Sequence, residues 1–144
     1  MFNFLNKLPK SFIKKPLAHR GFHDCNGSFT KGSGPENSRE SIFHAINNGL
    51  GIIHYTGHGD TDVWVTSNFN TSDVNQLTNT NELPFICTVG CKSGDFGDGT
   101  CLGEQFIRAT SGSNPTGAVA TFMSTVYQSW APPMEAQDEM VDIL

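Results

Sequence analysis

Apolar positions in this chain fall into a few distinct patterns. Ile42, Ala45 and Ile46, with Phe43 beside them, recur at helical spacing, which gathers them on one helix face. Asn37 precedes them as a candidate N-cap with Glu40 at the third helical position, the spacing of a capping box. Gly49 follows as a C-terminal stop. Residues 52–57 and 83–89 are short, nearly unbroken apolar runs. Runs of that kind suit strands covered on both faces of a parallel sheet. A shorter strand running into a turn is predicted at 16–21, and a third apolar strand at 117–124.

Polar segments separate these runs. Residues 25–34 are rich in Gly, Ser and Asn and read as loop. Residues 60–70 read as a polar loop carrying Trp64 and Phe69. Ser72 is placed to cap a short helix over 73–77, and 92–100 is a Gly/Asp loop. Leu102, Phe106 and Ala109 line one side of a helix at 101–109. Residues 130–133 read as an extended loop and 134–143 as an acidic helix. The first 15 residues alternate Phe2, Phe4, Leu5, Leu8, Phe12 and Ile13 with lysines. They form either a loosely packed leader or an amphipathic helix, broken at Pro9, that can lie on a membrane surface. The alternation of strand and helix predicts an α/β fold, a mainly parallel sheet flanked by helices in three layers.

Composition narrows this further. A length of 144 residues is one domain's worth, 37% hydrophobic content supports a core, and 15 Gly with 7 Pro imply many turns. No apolar run is long enough to span a bilayer, and the N-terminus lacks the apolar core of a signal peptide. The first 48 residues carry seven Lys/Arg against three Asp/Glu, and the rest two against eleven. That asymmetry suits either a basic arm for an anionic partner or two segments of different origin.

The chemistry concentrates at the ends of two apolar runs. His58-Gly59 follows the first and Cys91 follows the second. Parallel strands deliver their C-terminal residues to one sheet edge, where ligands bind. A thiol needs a base nearby to become a nucleophile at neutral pH, and imidazole is the usual one. Pattern alone also allows Cys91 to be an inert buried cysteine. Cys87 reads as core, Cys101 as a helix-face residue and Cys25 as a loop thiol. Cys87, Cys91 and Cys101 match no common zinc spacing, so no metal is predicted. His54 reads as a packing residue, and His23 and His44 as surface residues.

From 49 to 144 the chain resembles the gingipain-type cysteine peptidases, peptidase family C25 of the caspase-like clan. The resemblance rests on Tyr55-Thr56-Gly57-His58-Gly59, Gln76-Leu77-Thr78-Asn79, Leu83-Pro84-Phe85-Ile86 and Cys91-Lys92-Ser93-Gly94-Asp95-Phe96. It continues through Pro115-Thr116-Gly117, Gln128-Ser129-Trp130-Ala131 and Gln137-Asp138-Glu139-Met140. It implies part of a caspase-like domain and a cysteine-type endopeptidase without cofactor, with Cys91 as nucleophile and His58 as base. The amides of Gly59 and Cys91 would form the oxyanion hole, and Thr56 and Trp130 would line the substrate pocket. The implied partner is a peptide or protein, with no nucleic acid and no membrane span. Resembled peptidases are secreted or on the cell surface. The family's orienting carboxylate and acidic specificity residue lie before this segment, so a fragment of a larger peptidase is expected.

Residues 1–50 resemble a second family. His19-Arg20-Gly21, Gly34-Pro35-Glu36-Asn37-Ser38 and Ala45-Ile46-Asn47-Asn48-Gly49 look like the start of a glycerophosphodiester phosphodiesterase. That resemblance implies a site of His19, Arg20 and Glu36 with Mg²⁺ or Ca²⁺. The next strand, Ile52-Ile53-His54-Tyr55, lacks the carboxylates such a hard cation needs. Two segments are therefore expected, an incomplete phosphodiesterase-like one at 1–50 and an incomplete peptidase-like one at 51–144, joined near 47–52.

Overall fold

The computed structural model describes residues 38–97 and 99–143 together with the backbone of 17–18. The leader at 1–15, the loop at 25–34, Cys25 and the phosphodiesterase-like residues His19, Arg20 and Glu36 lie outside the described residues. In chain order the elements are β1 (Leu17–Ala18), α1 (Arg39–Asn47), β2 (Ile52–Thr56), β3 (Gly59–Asp60), β4 (Val63–Trp64), β5 (Phe69–Asn70) and α2 (Thr71–Val74). Then follow β6 (Phe85–Val89), α3 (Leu102–Arg108), β7 (Thr110–Ser111), β8 (Asn114–Pro115), β9 (Ala120–Phe122) and α4 (Ala131–Ile143).

Four strands form the main sheet in the order β1-β2-β6-β9, every pairing parallel. Helical segments fill each crossover, as parallel neighbours require. Ile53 pairs with Ile86 and Thr56 with Val89. On one face Ile53, Tyr55 and Ile86 join a core with Ile42 and Ile46 of α1, Val74 of α2, and Leu102 and Phe106 of α3. On the other face Gln137 of α4 reaches the β2 and β6 main chains. The result is the expected three-layer α/β arrangement.

Local chemistry moves several boundaries. Helix α1 starts one residue later than expected. Ser38, not Asn37, is its N-cap, and the Ser38 side chain accepts from the Ser41 N–H at 3.2 Å. Glu40 therefore sits in the first turn without closing a capping box. Gly49 ends the helix at φ 81°, a left-handed conformation that glycine adopts without strain. Asn47 Oδ1 then accepts from Thr78 N–H at 2.7 Å. Arg39 binds Asp73 at 2.6 Å, and that carboxylate raises the pKa of the Arg39 guanidinium. These contacts tie α1 to elements on the far side of position 50. The short second helix begins at Thr71, capped by Asn70 rather than Ser72, and Asn70 and Asp73 complete a capping box.

Residues 60–70 are not a loop. β3, β4 and β5 form a small antiparallel sheet, and its Trp64 and Phe69 are 1% and 0% exposed. Trp64 stacks on Tyr55 with ring centroids 4.5 Å apart. A second short hairpin, β7-β8, precedes β9. Residues 131–133 are the first turn of α4 rather than an extended loop. Pro132 and Pro133 fit there because first-turn N–H groups have no intrahelical acceptor, and Met134 N–H donates to Trp130 O at 3.0 Å.

Candidate active site

The parallel register of β2 and β6 sets the site. Thr56 and Val89 are paired, and Gly57 N–H donates to Val89 O at 3.0 Å. His58 and Cys91 each lie two residues beyond that pair, on the same C-terminal sheet edge. The two main chains stay in contact past the strands. A Cβ on Gly90 would lie 3.0 Å from Gly57 O, and one on Gly59 would lie 2.7 Å from Cys91 O and 3.3 Å from Cys91 N. Gly59 is thus required by space.

His58 is exposed, and its ring meets the Trp130 ring edge-on with centroids 5.4 Å apart. Its main chain is held on both sides. His58 N–H donates to Thr66 Oγ1 at 3.0 Å, and His58 O accepts from Tyr55 Oη at 2.7 Å and Val65 N–H at 2.8 Å. Burial pushes the Tyr55 hydroxyl up to about 12, against a smaller opposing effect of Thr66.

Cys91 is a half-buried free thiol whose Sγ lies 4.0 Å from Gln128 O. The turn after it is strapped by residues 124–128. Lys92 N–H donates to Val126 O at 3.2 Å, Gly94 N–H to Ser124 O at 2.9 Å, and Gln128 Nε2 to Gly90 O at 3.1 Å. Lys92 holds φ 55°, a left-handed conformation costly for a side chain and sustained only where surroundings fix it. Its ammonium lies 3.7 Å from Asp95 and over the Tyr127 ring. Ser93, fully buried, donates from Oγ to Cys91 O at 3.2 Å.

Thr56 is half-buried, and its hydroxyl donates to Gln137 Oε1 at 2.7 Å. Gln137 Nε2 donates to Tyr55 O at 3.3 Å and Cys87 O at 3.2 Å. One buried side chain on α4 therefore ties together the strands that carry His58 and Cys91. Cys87 is core, its thiol pKa raised by burial against the Gln137 contact. Cys101 is buried and caps α3 through a contact from Glu104 N–H. Among the described residues no group of three His, Cys, Asp or Glu could hold a metal ion, and no helix is long and apolar enough to cross a membrane.

Tyr55, Thr66, Gln128 and Gln137 are supporting residues that the sequence reading passed over. Three of them lie in the quoted blocks, and a Gln at an inward helical position was the available signal for Gln137. The blocks at 76–79 and 115–117 prove to be structural partners. Asn79 Nδ2 donates to Gly117 O, and Gly117 N–H to Asn79 Oδ1, both at 2.9 Å.

The family model for peptidase family C25 matches residues 6–142. Gingipain R2 and gingipain R1 of Porphyromonas gingivalis are each 43% identical to this chain over 136 residues, 94% of its length. The chain spans 18% of gingipain R2 and 13% of gingipain R1. Among solved structures, the Arg-specific cysteine proteinase gingipain R superposes with a TM-score of 0.73 at 47% identity, over 76% of this chain and 26% of that one. A complex of gingipain pro- and mature domains gives 0.74 at 47% identity, over 77% and 26%.

Proposed function

The chain belongs to peptidase family C25, and from that membership we propose that it carries the nucleophile and base of a cysteine endopeptidase. The observation that carries the proposal is the side-by-side exit of His58 and Cys91 from paired parallel strands. In the proposed reaction His58 takes the Cys91 proton and the thiolate adds to a peptide carbonyl carbon. The developing oxyanion faces the N–H groups of Gly59 and Cys91, donors each worth about 3–4 kcal/mol in such sites. The C–N bond then breaks as the departing amine takes a proton from the His58 imidazolium. Water, deprotonated by His58, hydrolyses the thioester and restores the thiol. Trp130 walls the imidazole, and Thr56, through Gln137, shapes the floor of the pocket.

The substrate class is a peptide or protein chain. Peptides with Arg at the cleaved bond are the first choice, because the gingipain R it resembles is described as Arg-specific. Action outside the cell or on its surface, as the family resemblance implies, is part of the same proposal. Hydrolysis of a fluorogenic Arg-containing peptide tests it. Turnover that disappears in Cys91→Ala supports the reading, and turnover unchanged in Cys91→Ala overturns it.

A further inference from the structure

We propose that Tyr55 is a positioning residue whose buried hydroxyl locks the His58–Gly59 peptide in the orientation that presents the Gly59 N–H to the substrate oxyanion. The inference rests on the peptidase reading above. The His58 carbonyl and the Gly59 N–H belong to one planar trans unit and point in opposite directions. Whatever fixes the carbonyl fixes the N–H.

Two donors fix that carbonyl from inside the fold, Tyr55 Oη at 2.7 Å and Val65 N–H at 2.8 Å. The Val65 bond carries the β3-β4 register one step beyond the strands, at the hydrogen-bonding phase of the ladder, while the His58 N–H turns to Thr66 Oγ1. By the alternation of antiparallel ladders, the next pair, Gly59–Trp64, is not hydrogen-bonded. The Gly59 N–H therefore points away from the hairpin, and it is not spent on the ladder. Cys91, the other proposed donor, packs directly against Gly59. Tyr55 itself cannot move easily. It is 5% exposed, pinned by its stack on Trp64. With its titration near 12, the hydroxyl remains a donor wherever a thiol peptidase works. Gly57 leaves the room this needs, since a Cβ there would lie 2.6 Å from Tyr55 Oη and 2.9 Å from Thr66 Oγ1.

A substitution test separates positioning from mere stability by comparing two reactions of the same thiol. Alkylation by iodoacetamide displaces iodide and develops no oxyanion. Acylation by a p-nitrophenyl ester of a blocked arginine passes through one and releases p-nitrophenolate. Tyr55→Phe keeps the ring and its stack, so alkylation of Cys91 should be unchanged while acylation slows about tenfold, the loss of one net hydrogen bond's worth of orientation. Equal slowing of both reactions, or of neither, overturns the role assigned to Tyr55 and leaves the peptidase reading standing. No acylation of Cys91 in the unsubstituted chain overturns both. Should Tyr55→Phe fail to fold, a chain carrying 3-fluorotyrosine at position 55, which keeps the ring stack and strengthens the hydroxyl as a donor to His58 O, is read by the same two rates: faster acylation with unchanged alkylation supports the role, and no change in either overturns it.

Discussion

Gly59 lies against Cys91 so closely that a single methyl group at position 59 would fall 2.7 Å from the Cys91 carbonyl oxygen. The Cys91 main chain and the buried Ser93 Oγ, also 2.7 Å away, leave little room for that methyl. Gly59→Ala should therefore push the two proposed oxyanion donors apart. Peptide hydrolysis is expected to fall about a hundredfold, the scale of losing one such donor. The check is kcat/KM of the variant, with circular dichroism to show that it folds. A folded Gly59→Ala chain with full activity would contradict the account of the site.

Gln137 joins α4 to both central strands through Thr56, Tyr55 and Cys87. Gln137→Leu fills similar volume and removes every one of those bonds. The two strand carbonyls keep their ladder donors, but the Thr56 hydroxyl loses its acceptor and three bonds are lost at about 0.5–1.5 kcal/mol each, so the thermal midpoint should drop by several degrees. Trp130, which directly precedes α4, should loosen against His58. Calorimetry of the variant tests this, and an unchanged melt would show that α4 is held by packing alone.

His54 supplies the pH dependence. Burial lowers its pKa below the usual 6.5, with Asp138 opposing, and its buried Nδ1 has no partner. A lowered imidazole pKa means that the folded state favours the neutral ring. That contribution to stability is present above pH 6.5 and is lost as pH falls through the folded-state value. Urea midpoints at pH ~7.5 and ~5 should therefore converge more closely in His54→Leu than in the unsubstituted chain. Equal pH sensitivity in both would remove His54 as the cause.

Much of this arrangement was legible in the residues. The runs at 52–57 and 83–89 announce themselves because both faces of a central parallel strand are covered. Their shared exit edge, with His58 on one strand and Cys91 on the other, follows from parallel pairing. Leu102, Phe106 and Ala109 likewise marked α3 by helical spacing. The hairpin around Trp64 and Phe69 was not legible, because two-residue strands are too short to show a period. Ser38 and Asn37 are equally good caps in isolation, so residue type alone does not choose between them. The Tyr55–His58 and Gln137–Thr56 contacts were hidden for another reason. Each partner is fixed by tertiary placement, across 81 positions in the second case, and no local pattern encodes it.

The central claim is that Cys91 and His58 form one reactive unit. Its most direct test is mass-spectrometric mapping of the chain after brief exposure to a peptidyl acyloxymethyl ketone carrying arginine. Cys87 and Cys101 are each 1% exposed, whereas Cys91 is half-buried at the same sheet edge from which His58 exits. The account predicts a single adduct, on Cys91, absent in Cys91→Ala and formed about a hundredfold more slowly in His58→Ala. Modification of another cysteine in preference to Cys91, or labelling of Cys91 at the same rate without His58, would contradict it.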